Sequence, residues 1–288
     1  MSSLVLERLG HYARLARLHR PIGIYLVLWP TLWALWIAGE GRPDLAVFAI
    51  FMVGTVLMRS AGCAINDYAD RDIDGHVWRT KDRPIAAGHV TPREAVMVFV
   101  VLSLAAFGLV LFLNPLTIQL SVLGLFLAFS YPFTKRYTYL PQAYLGMAFG
   151  WGIPMGFAAL TNEVPGPAWV MFFANVMWSL VYDTMYAMAD REDDLKIGVK
   201  SSAILFGRFD RLIIGVLQLL FLLLLAIAGN DLGMGAFYFA GLAVAAVLSA
   251  YEQWMIRKRE PMRCFQAFLH NHYVGASIFV GIVLDYLL

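Results

Sequence analysis

Residues 45–74 read LAVFAIFMVGTVLMRSAGCAINDYADRDID, an apolar stretch that runs directly into a cluster of four aspartates. The apolar part, residues 45–65, is long enough to cross the roughly 30 Å hydrocarbon core of a bilayer as a helix. The acidic part extends from Asn66 to Asp74. Ionisable side chains next to a membrane interior are costly unless they pair or face a wet cavity, so this cluster is a candidate functional site.

The composition of the whole chain agrees with a membrane location. Of its 288 residues, 60% are hydrophobic and 15% are charged. Soluble domains carry about 25% charged residues, which help to cover a surface that faces water. The composition therefore excludes a soluble enzyme, a disordered chain and a nucleic-acid-binding domain. Cys63 and Cys264 lie in or near apolar segments, so they form neither a disulfide framework nor a zinc motif.

Eight further apolar stretches of similar length are separated by short polar breaks or longer charged connections. The nine predicted spans are 22–38, 45–65, 95–113, 116–133, 140–160, 168–187, 212–229, 232–250 and 268–287. This pattern predicts an all-α integral membrane protein with nine transmembrane helices. Residues 1–21 are basic and have no signal-peptide pattern, which predicts an N-terminal amphipathic cytoplasmic segment ahead of a transmembrane domain at 22–288.

The basic residues predict the orientation. Of the 22 Lys and Arg, only Arg42 and Arg59 lie outside the N-terminal segment and the connections that follow even-numbered spans. Cytoplasmic connections carry an excess of Lys and Arg. The sequence therefore predicts a multi-pass protein of the bacterial inner (cytoplasmic) membrane, with its N-terminus in the cytoplasm and its C-terminus in the periplasm.

Acidic residues form two rows at the ends of the second and sixth spans. Asn66, Asp70 and Asp74 are four apart, which places them on one face of a helix. Asp190 and Asp194 form a second row, which Asp183 extends. Like charges four apart destabilise an isolated helix, so each row makes sense if it faces a divalent cation. Ligands that are oxygen atoms only favour Mg²⁺ or Mn²⁺ over zinc.

The two rows also resemble each other in sequence. ADRDID at 69–74 matches ADREDD at 189–194 at a constant offset of 120 residues. Because each copy ends a span, the repeat unit predicted is four helices. Internal repeats in membrane proteins often place a site between the two halves. We therefore expect the rows to face each other across a cavity that opens near the cytoplasmic side.

Basic residues near the rows suggest what such a site binds. They are Arg71, Lys81, Arg83, Lys135, Arg136, Lys196 and Lys200. Carboxylates, Mg²⁺ and guanidinium groups together suit a diphosphate. A diphosphate group on a molecule that enters a greasy interior suggests an isoprenyl diphosphate. Its metal-assisted departure leaves an allylic cation, which must be kept from water.

Several stretches resemble motifs of the UbiA family of intramembrane aromatic prenyltransferases. Asn66, Asp67, Asp70 and Asp74 meet its Asn-Asp-x-x-Asp-x-x-x-Asp motif. Residues 182–201 are similar to the second motif region of the family. Three further stretches are similar in sequence to the family branch that acts on 4-hydroxybenzoate: 74–84 (DGHVWRTKDRP), 131–136 (YPFTKR) and 196–201 (KIGVKS). The similarity extends from about Arg20 to the last predicted helix.

The resemblance implies a nine-helix fold, Mg²⁺ dependence and transfer of a polyprenyl chain to the ring carbon ortho to the hydroxyl of 4-hydroxybenzoate, an early step of ubiquinone biosynthesis. Polyprenyl diphosphate, 4-hydroxybenzoate and the lipid bilayer are then the partners. The metal ligands implied are Asn66, Asp70, Asp74, Asp190 and Asp194, supported by Asp67 and Asp183. Diphosphate contacts are implied for Arg136, Arg71, Lys135 and Lys200. The catalytic set expected is Asp70, Asp74, Asp190, Asp194 and Arg136.

The acceptor site is the least constrained by sequence. A benzoate carboxylate needs a cationic or donor partner apart from the metal cluster, and Arg20 at the mouth of the first span is one candidate, with a membrane-edge anchor as its other role. Two alternatives remain at this stage: a prenyltransferase with another aromatic acceptor, and a membrane transporter, since carriers also combine repeats with intramembrane acids. A CDP-alcohol phosphotransferase lacks support because its Asp-Gly-x-x-Ala-Arg opening is absent.

Overall fold

A computed structural model describes residues 3–77 and 79–288, and this part of the chain consists of helices, turns and loops without a β-strand. The helices are α1 (Ser3–Leu15), α2 (Ile22–Ala38), α3 (Leu45–Ala69), α4 (Pro92–Val110), α5 (Pro115–Ser130), α6 (Pro141–Gly150), α7 (Gly152–Thr161), α8 (Gly166–Ile197), α9 (Ser202–Phe206), α10 (Asp210–Asp231), α11 (Ala236–Met255) and α12 (Pro261–Leu287). Short 3₁₀ turns cover Asp74–His76, Tyr131–Arg136, Gly207–Phe209 and Ile256–Lys258. The all-α class is as predicted.

Helices α3 and α4 begin at residues whose side chains cap them. The carboxylate of Asp44 accepts hydrogen bonds from the backbone of Ala46 and Val47, which begins α3. Thr91 and Glu94 form a reciprocal capping box at the start of α4. Such caps satisfy backbone N–H groups that have no partner inside the helix. These polar residues therefore end the connections and begin the next apolar helix.

Within residues 3–77 and 79–288, seven helical segments are long and apolar enough to cross a membrane. They are Leu45–Ala69, Pro92–Val110, Pro115–Arg136, Pro141–Thr161, Ser202–Asp231, Ala236–Lys258 and Pro261–Leu287. The first predicted span coincides with α2, an apolar but shorter helix of 17 residues. The sixth lies in α8, where Asn175, Ser179 and Asp183 interrupt the apolar sequence. Seven candidate spans make this a multi-pass membrane protein, and the full number of nine stays a prediction.

The fifth predicted span, 140–160, corresponds to the candidate span Pro141–Thr161, which a one-residue break divides. It consists of α6 and α7, which meet at Trp151 between two glycines. Trp151 donates a hydrogen bond from its indole nitrogen to the carbonyl of Leu120 on α5, 2.8 Å away. Pro154 has no N–H to donate to the carbonyl of Gly150, and the next bond, from Met155 N to Trp151 O, is 3.4 Å long, so the helical hydrogen-bond pattern is interrupted at Trp151.

The main core surrounds α8. Trp178 of α8 stacks on Phe221 of α10, with ring centroids 5.7 Å apart, and contacts Trp33 of α2 at 5.5 Å. The indole nitrogen of Trp33 donates a hydrogen bond to Gly275 O, and that of Trp178 donates one to Asn271 Oδ1. The aromatic groups are therefore buried with their polar atoms satisfied, as buried tryptophans require. This core packs around the middle of α8, and the last turns of the helix carry Asp190 and Asp194.

Candidate active site

The first acidic row keeps its predicted alignment although the helix ends within it. Helix α3 stops at Ala69, and Asp70 is its C-cap. Asp70 N bonds to Asn66 O and Asp74 N bonds to Asp70 O, both at 2.9 Å, so helical i→i−4 spacing continues through the turn. The amide of Asn66 also donates to Asp70 Oδ2 at 3.1 Å. Asn66, Asp70 and Asp74 therefore remain stacked on one side.

Arg83 forms ion pairs with the acids at this row. One of its guanidinium nitrogens lies 2.8 Å from both oxygens of Asp74, 3.7 Å from Asp70 and 3.5 Å from Asp67. Burial raises the pKa of Asp74 to about 6, against the opposing effect of the Arg83 charge. The pKa of Arg83 rises because the carboxylates of Asp67 and Asp74 outweigh the effect of burial. The row thus has strongly interacting charges in a low-dielectric setting.

Asp67 occupies a different place from its neighbours. Its carboxylate is completely buried and accepts a hydrogen bond from Arg17 at 2.6 Å. Arg17 follows α1 and has a left-handed backbone, with φ at 57°. The other carboxylate oxygen of Asp67, Oδ2, is buried without a hydrogen-bond partner in the described residues. Asp67 therefore connects the first row to the N-terminal segment.

The second row lies along α8. Asp190 and Asp194 are both largely buried, and Asp183 is half-buried two turns before Asp190. Asp190 forms an ion pair with Arg79, from the connection that follows the first row. The Arg79 guanidinium also lies over the ring of Tyr186, 4.1 Å from its centroid. This long-range contact brings the two acidic segments into one region of the molecule.

Lys135 lies between the two rows. Its ammonium forms an ion pair with Asp70 of the first row, and its charge also interacts with Asp183 and Asp194 of the second. The turn that carries it is held near α3, since the hydroxyl of Tyr131 donates to Gly62 O at 3.4 Å. The structure therefore brings both predicted rows together around Lys135.

Of the other cations predicted to contact the substrate, some lie beside the acid rows and others do not. Arg136 donates to Ala69 O at 2.8 Å, at the end of α3 beside Asp70. Lys200 donates to Tyr137 O at 3.4 Å, next to the same turn. Arg71 instead lies over the Tyr68 ring and pairs with exposed Asp72. Exposed Arg20 makes no side-chain hydrogen bond or ion pair within the described ranges. Their roles as substrate contacts stay predictions.

The donor chemistry of the rows suits Mg²⁺. Carboxylate and amide oxygens surround the region, Asp183 has no ion pair in the described part of the chain, and no thiol or imidazole belongs to either row. Mg²⁺ prefers such oxygen donors. Between residues 3–77 and 79–288, no three His, Cys, Asp or Glu side chains converge closely enough to define a metal site. Instead, Arg83, Lys135 and Arg79 neutralise the carboxylates, and the metal ligands stay a prediction.

Sequence reasoning missed Arg59, which interrupts the apolar run of α3. It contacts Cys63 Sγ, packs against Gly23 and lies over Phe149, 5.7 Å from the ring centroid. Its Nε is buried without a hydrogen-bond partner, and no carboxylate of the described chain lies within 4 Å of it. Its charge still interacts with that of Asp183. A cation at such a depth is itself the signal, since intramembrane ionisable residues are functional candidates.

An apolar cavity lies beside the part of α3 that precedes Arg59, and Met58 is among its lining residues. Helices α2 to α7 line it with mostly aliphatic and aromatic side chains, including Met58, Phe107, Trp151 and Met155. Phe149 belongs to the cavity wall and also lies against the guanidinium of Arg59. A polar, charged region thus meets an apolar cavity at Arg59. The class of protein this defines is a membrane enzyme for a substrate with an anionic head and an apolar tail.

The UbiA prenyltransferase family matches residues 27–275, which is most of the chain. The chain therefore belongs to the UbiA prenyltransferase family, and it is an enzyme rather than a transporter. Among its relatives is a protein of Methylococcus capsulatus (strain Bath) named 4-hydroxybenzoate octaprenyltransferase. The two are 62% identical over 283 residues, covering 98% of this chain and 97% of the relative.

Solved structures of the family have the same fold. A UbiA homologue from Aeropyrum pernix K1, without ligand, superposes with a TM-score of 0.80 at 27% identity, covering 91% of this chain and 97% of that one. A UbiA homologue from Archaeoglobus fulgidus, bound to GPP and Mg²⁺, superposes with a TM-score of 0.70 at 16% identity, covering 94% and 99%. The helical arrangement is therefore that of the family.

Proposed function

We propose that this chain transfers a polyprenyl group from polyprenyl diphosphate to the ring carbon of 4-hydroxybenzoate that is ortho to the hydroxyl, and releases diphosphate. The reaction would be an early, membrane-bound step of ubiquinone biosynthesis. The observation that carries the proposal is the meeting of the two acid rows with the apolar cavity at Arg59. The name of the relative that is 62% identical supports the same activity.

The diphosphate end of the donor would lie at the acid rows. Asn66, Asp70, Asp74, Asp190 and Asp194 would hold Mg²⁺, with Asp67 and Asp183 in support. When bound, the metal supplies positive charge that stabilises the departing diphosphate. Lys135, which already interacts with acids of both rows, is the best placed cation to contact a phosphate oxygen. Arg136, Arg71 and Lys200 complete the proposed set of phosphate contacts.

The prenyl chain would occupy the apolar cavity. Its walls are almost entirely hydrocarbon and aromatic, with a few hydroxyls such as Thr31 and Ser103. The tail comes from the bilayer, which is as apolar as these walls, so van der Waals packing against the walls and not transfer from water would hold it. The same walls exclude water from the allylic cation that forms when the C–O bond breaks, which prevents simple hydrolysis.

Arg59 would hold the carboxylate of the acceptor. Its guanidinium lies between the cavity and the acids and has no carboxylate partner within 4 Å among the described residues. A benzoate carboxylate would neutralise it through a charge-assisted, forked hydrogen bond. The structure favours Arg59 over Arg20, which is exposed at the edge of the molecule. This also favours a carboxylated acceptor over an uncharged aromatic one.

The proton displaced from the ring needs a nearby base. Asp183 is half-buried, interacts electrostatically with Arg59 and has no ion pair in the described part of the chain. Asp70 and Asp190, by contrast, each form an ion pair with a cation, which lowers the basicity of the carboxylate. We assign Asp183 as the carboxylate that accepts the ring proton and restores aromaticity.

The membrane arrangement belongs to the same proposal. The nine spans would form two four-helix repeats and a ninth helix in the inner membrane, with the N-terminus in the cytoplasm and the C-terminus in the periplasm. Residues 1–21 would lie on the cytoplasmic surface and 22–288 in the membrane.

The direct test of the activity uses purified full-length protein in lipid nanodiscs with octaprenyl diphosphate and 4-hydroxybenzoate. Mass spectrometry should detect octaprenyl-4-hydroxybenzoate, and diphosphate release should require the acceptor. Release of diphosphate without any ring adduct would contradict the proposed acceptor chemistry.

A further inference from the structure

Asp210 is a buried carboxylate that belongs to neither acid row. It is the first residue of α10, and its side chain is completely excluded from solvent. It accepts hydrogen bonds from Arg259 at 2.8 to 3.1 Å, from the backbone N–H of Arg211 at 2.6 Å and from the guanidinium of Arg191. Two arginines from other elements therefore converge on one carboxylate.

Arg191 connects this carboxylate to the proposed active site. It directly follows Asp190, and neighbouring residues on a helix point about 100° apart. Asp190 pairs with Arg79 on one side of α8 while Arg191 pairs with Asp210 on another. The two contacts together set the rotation of the helix at the second row.

The end of α8 has few other anchors of this kind. Of residues 191–197, all of which the structure describes, Arg191 is the one whose side chain pairs with a carboxylate on another helix. Lys196 pairs only with Asp193 of its own helix. One turn or more before the row, the hydroxyl of Thr184 bonds to that of Ser202 at 2.7 Å. Beyond that point, the ion pairs of Asp190 with Arg79 and of Arg191 with Asp210 connect the helix to other elements.

At the corresponding position of the first row, the described residues form no such contact with a buried carboxylate. Arg71 corresponds to Arg191 at the offset of 120 residues. It pairs with Asp72, whose side chain is 73% exposed, and lies over Tyr68 at the end of α3. The contact with Asp210 is therefore a feature of the second row and does not follow from the repeated motif.

We propose that Asp210 is a positioning residue for the second acid row, which it holds against the first row through Arg191. This inference rests on the proposed metal-dependent function of the rows. A group that orients a ligand without touching the metal commonly changes metal affinity by about 10- to 100-fold when it is removed. Asp210 would act in this way, through the helix rather than by contact with substrate.

The test measures Mn²⁺ binding to the full-length protein in nanodiscs by electron paramagnetic resonance, with inorganic diphosphate present. Asp210→Asn and Arg191→Gln should each weaken Mn²⁺ binding by at least about tenfold. Asp285→Asn is the matched control, since Asp285 accepts backbone N–H groups at the start of α11. Arg259→Gln removes the other arginine from Asp210 and leaves Arg191 paired. Both controls should lower the melting temperature and leave Mn²⁺ affinity unchanged.

The outcomes separate positioning from general stability. Unchanged Mn²⁺ affinity in folded Asp210→Asn or Arg191→Gln would overturn the inference, and so would an equal loss in the two controls. If Asp210→Asn does not fold, Arg191→Gln tests the inference instead, because Asp210 still pairs with Arg259 in that variant. Mn²⁺ binding does not need the acceptor, so a failure of prenyl transfer to 4-hydroxybenzoate leaves this test valid. Wild-type protein that binds no Mn²⁺ would overturn the metal site and this inference together.

Discussion

Arg59 and Arg20 offer two positions for the carboxylate of the acceptor, and a single substitution at each distinguishes them. Arg59 lies between the apolar cavity and the acids, whereas Arg20 is exposed. Arg59→Gln should raise the KM for 4-hydroxybenzoate by about tenfold or more, because a hydrogen bond to a charged group contributes about 1.5–3 kcal/mol. The KM for the prenyl diphosphate should change little. Steady-state kinetics with each substrate varied in turn measures both.

An acceptor analogue without the carboxylate gives the control for this prediction. With 4-cresol, wild-type protein and Arg59→Gln should show similar, weak activity, since the lost contact no longer exists. A rise in KM for 4-hydroxybenzoate on Arg20→Gln, with none on Arg59→Gln, would return the assignment to Arg20.

Asp183 should act on the proton rather than on binding. Asp183→Asn keeps the size of the side chain but removes its basicity, so kcat should fall by about 10²- to 10⁴-fold while the KM for 4-hydroxybenzoate stays near that of the wild type. Ring-deuterated 4-hydroxybenzoate should then react more slowly than the protonated form. Asp193→Asn is the matched control, since Asp193 pairs with Lys196 on the same helix. A variant that keeps full kcat would exclude Asp183 as the base.

Among the elements, α3 links the apolar cavity to the first acid row. Gly54 lines the cavity, and a Cβ built there meets no atom within 4 Å. Gly54→Leu should therefore fill space needed by the tail without disturbing the helix. Overfilling a packed space is unfavourable by about 1–3 kcal/mol, so kcat/KM for octaprenyl diphosphate should fall by roughly tenfold relative to geranyl diphosphate.

Gly108 of α4 provides the control for Gly54. It also has open space at its Cβ but does not belong to the cavity lining. Gly108→Leu should leave the preference between the two donors unchanged. An equal effect of both substitutions would mean that the tail lies elsewhere.

The elements also show what the sequence could predict. Apolar length and the spacing of Asn66, Asp70 and Asp74 place the helices and the first row, because both depend on local periodicity. The end of α3 at Ala69 leaves the row intact because i→i−4 hydrogen bonds continue. The pairing of Arg79 with Asp190 joins residues far apart in the chain, so no local pattern indicates it.

For the whole molecule, the distribution of basic residues predicts which side each terminus faces. A reporter fused after Leu288 should behave as periplasmic: alkaline phosphatase active and green fluorescent protein dark. The same reporters inserted at residue 259 should give the opposite result, because that connection is basic. A cytoplasmic signal at both positions would mean an even number of crossings and would contradict the nine-span arrangement.

The central claim is that two acid rows from distant parts of the chain act as one metal-dependent site. The most direct measurement is formation of octaprenyl-4-hydroxybenzoate by purified wild-type protein, Asp70→Ala and Asp190→Ala, each with Mg²⁺ and with EDTA. The account predicts product only for the wild type with Mg²⁺, restored when Mg²⁺ is added after EDTA, and nearly none for either folded variant. Sustained transfer in EDTA, or full activity after loss of one row, would contradict it.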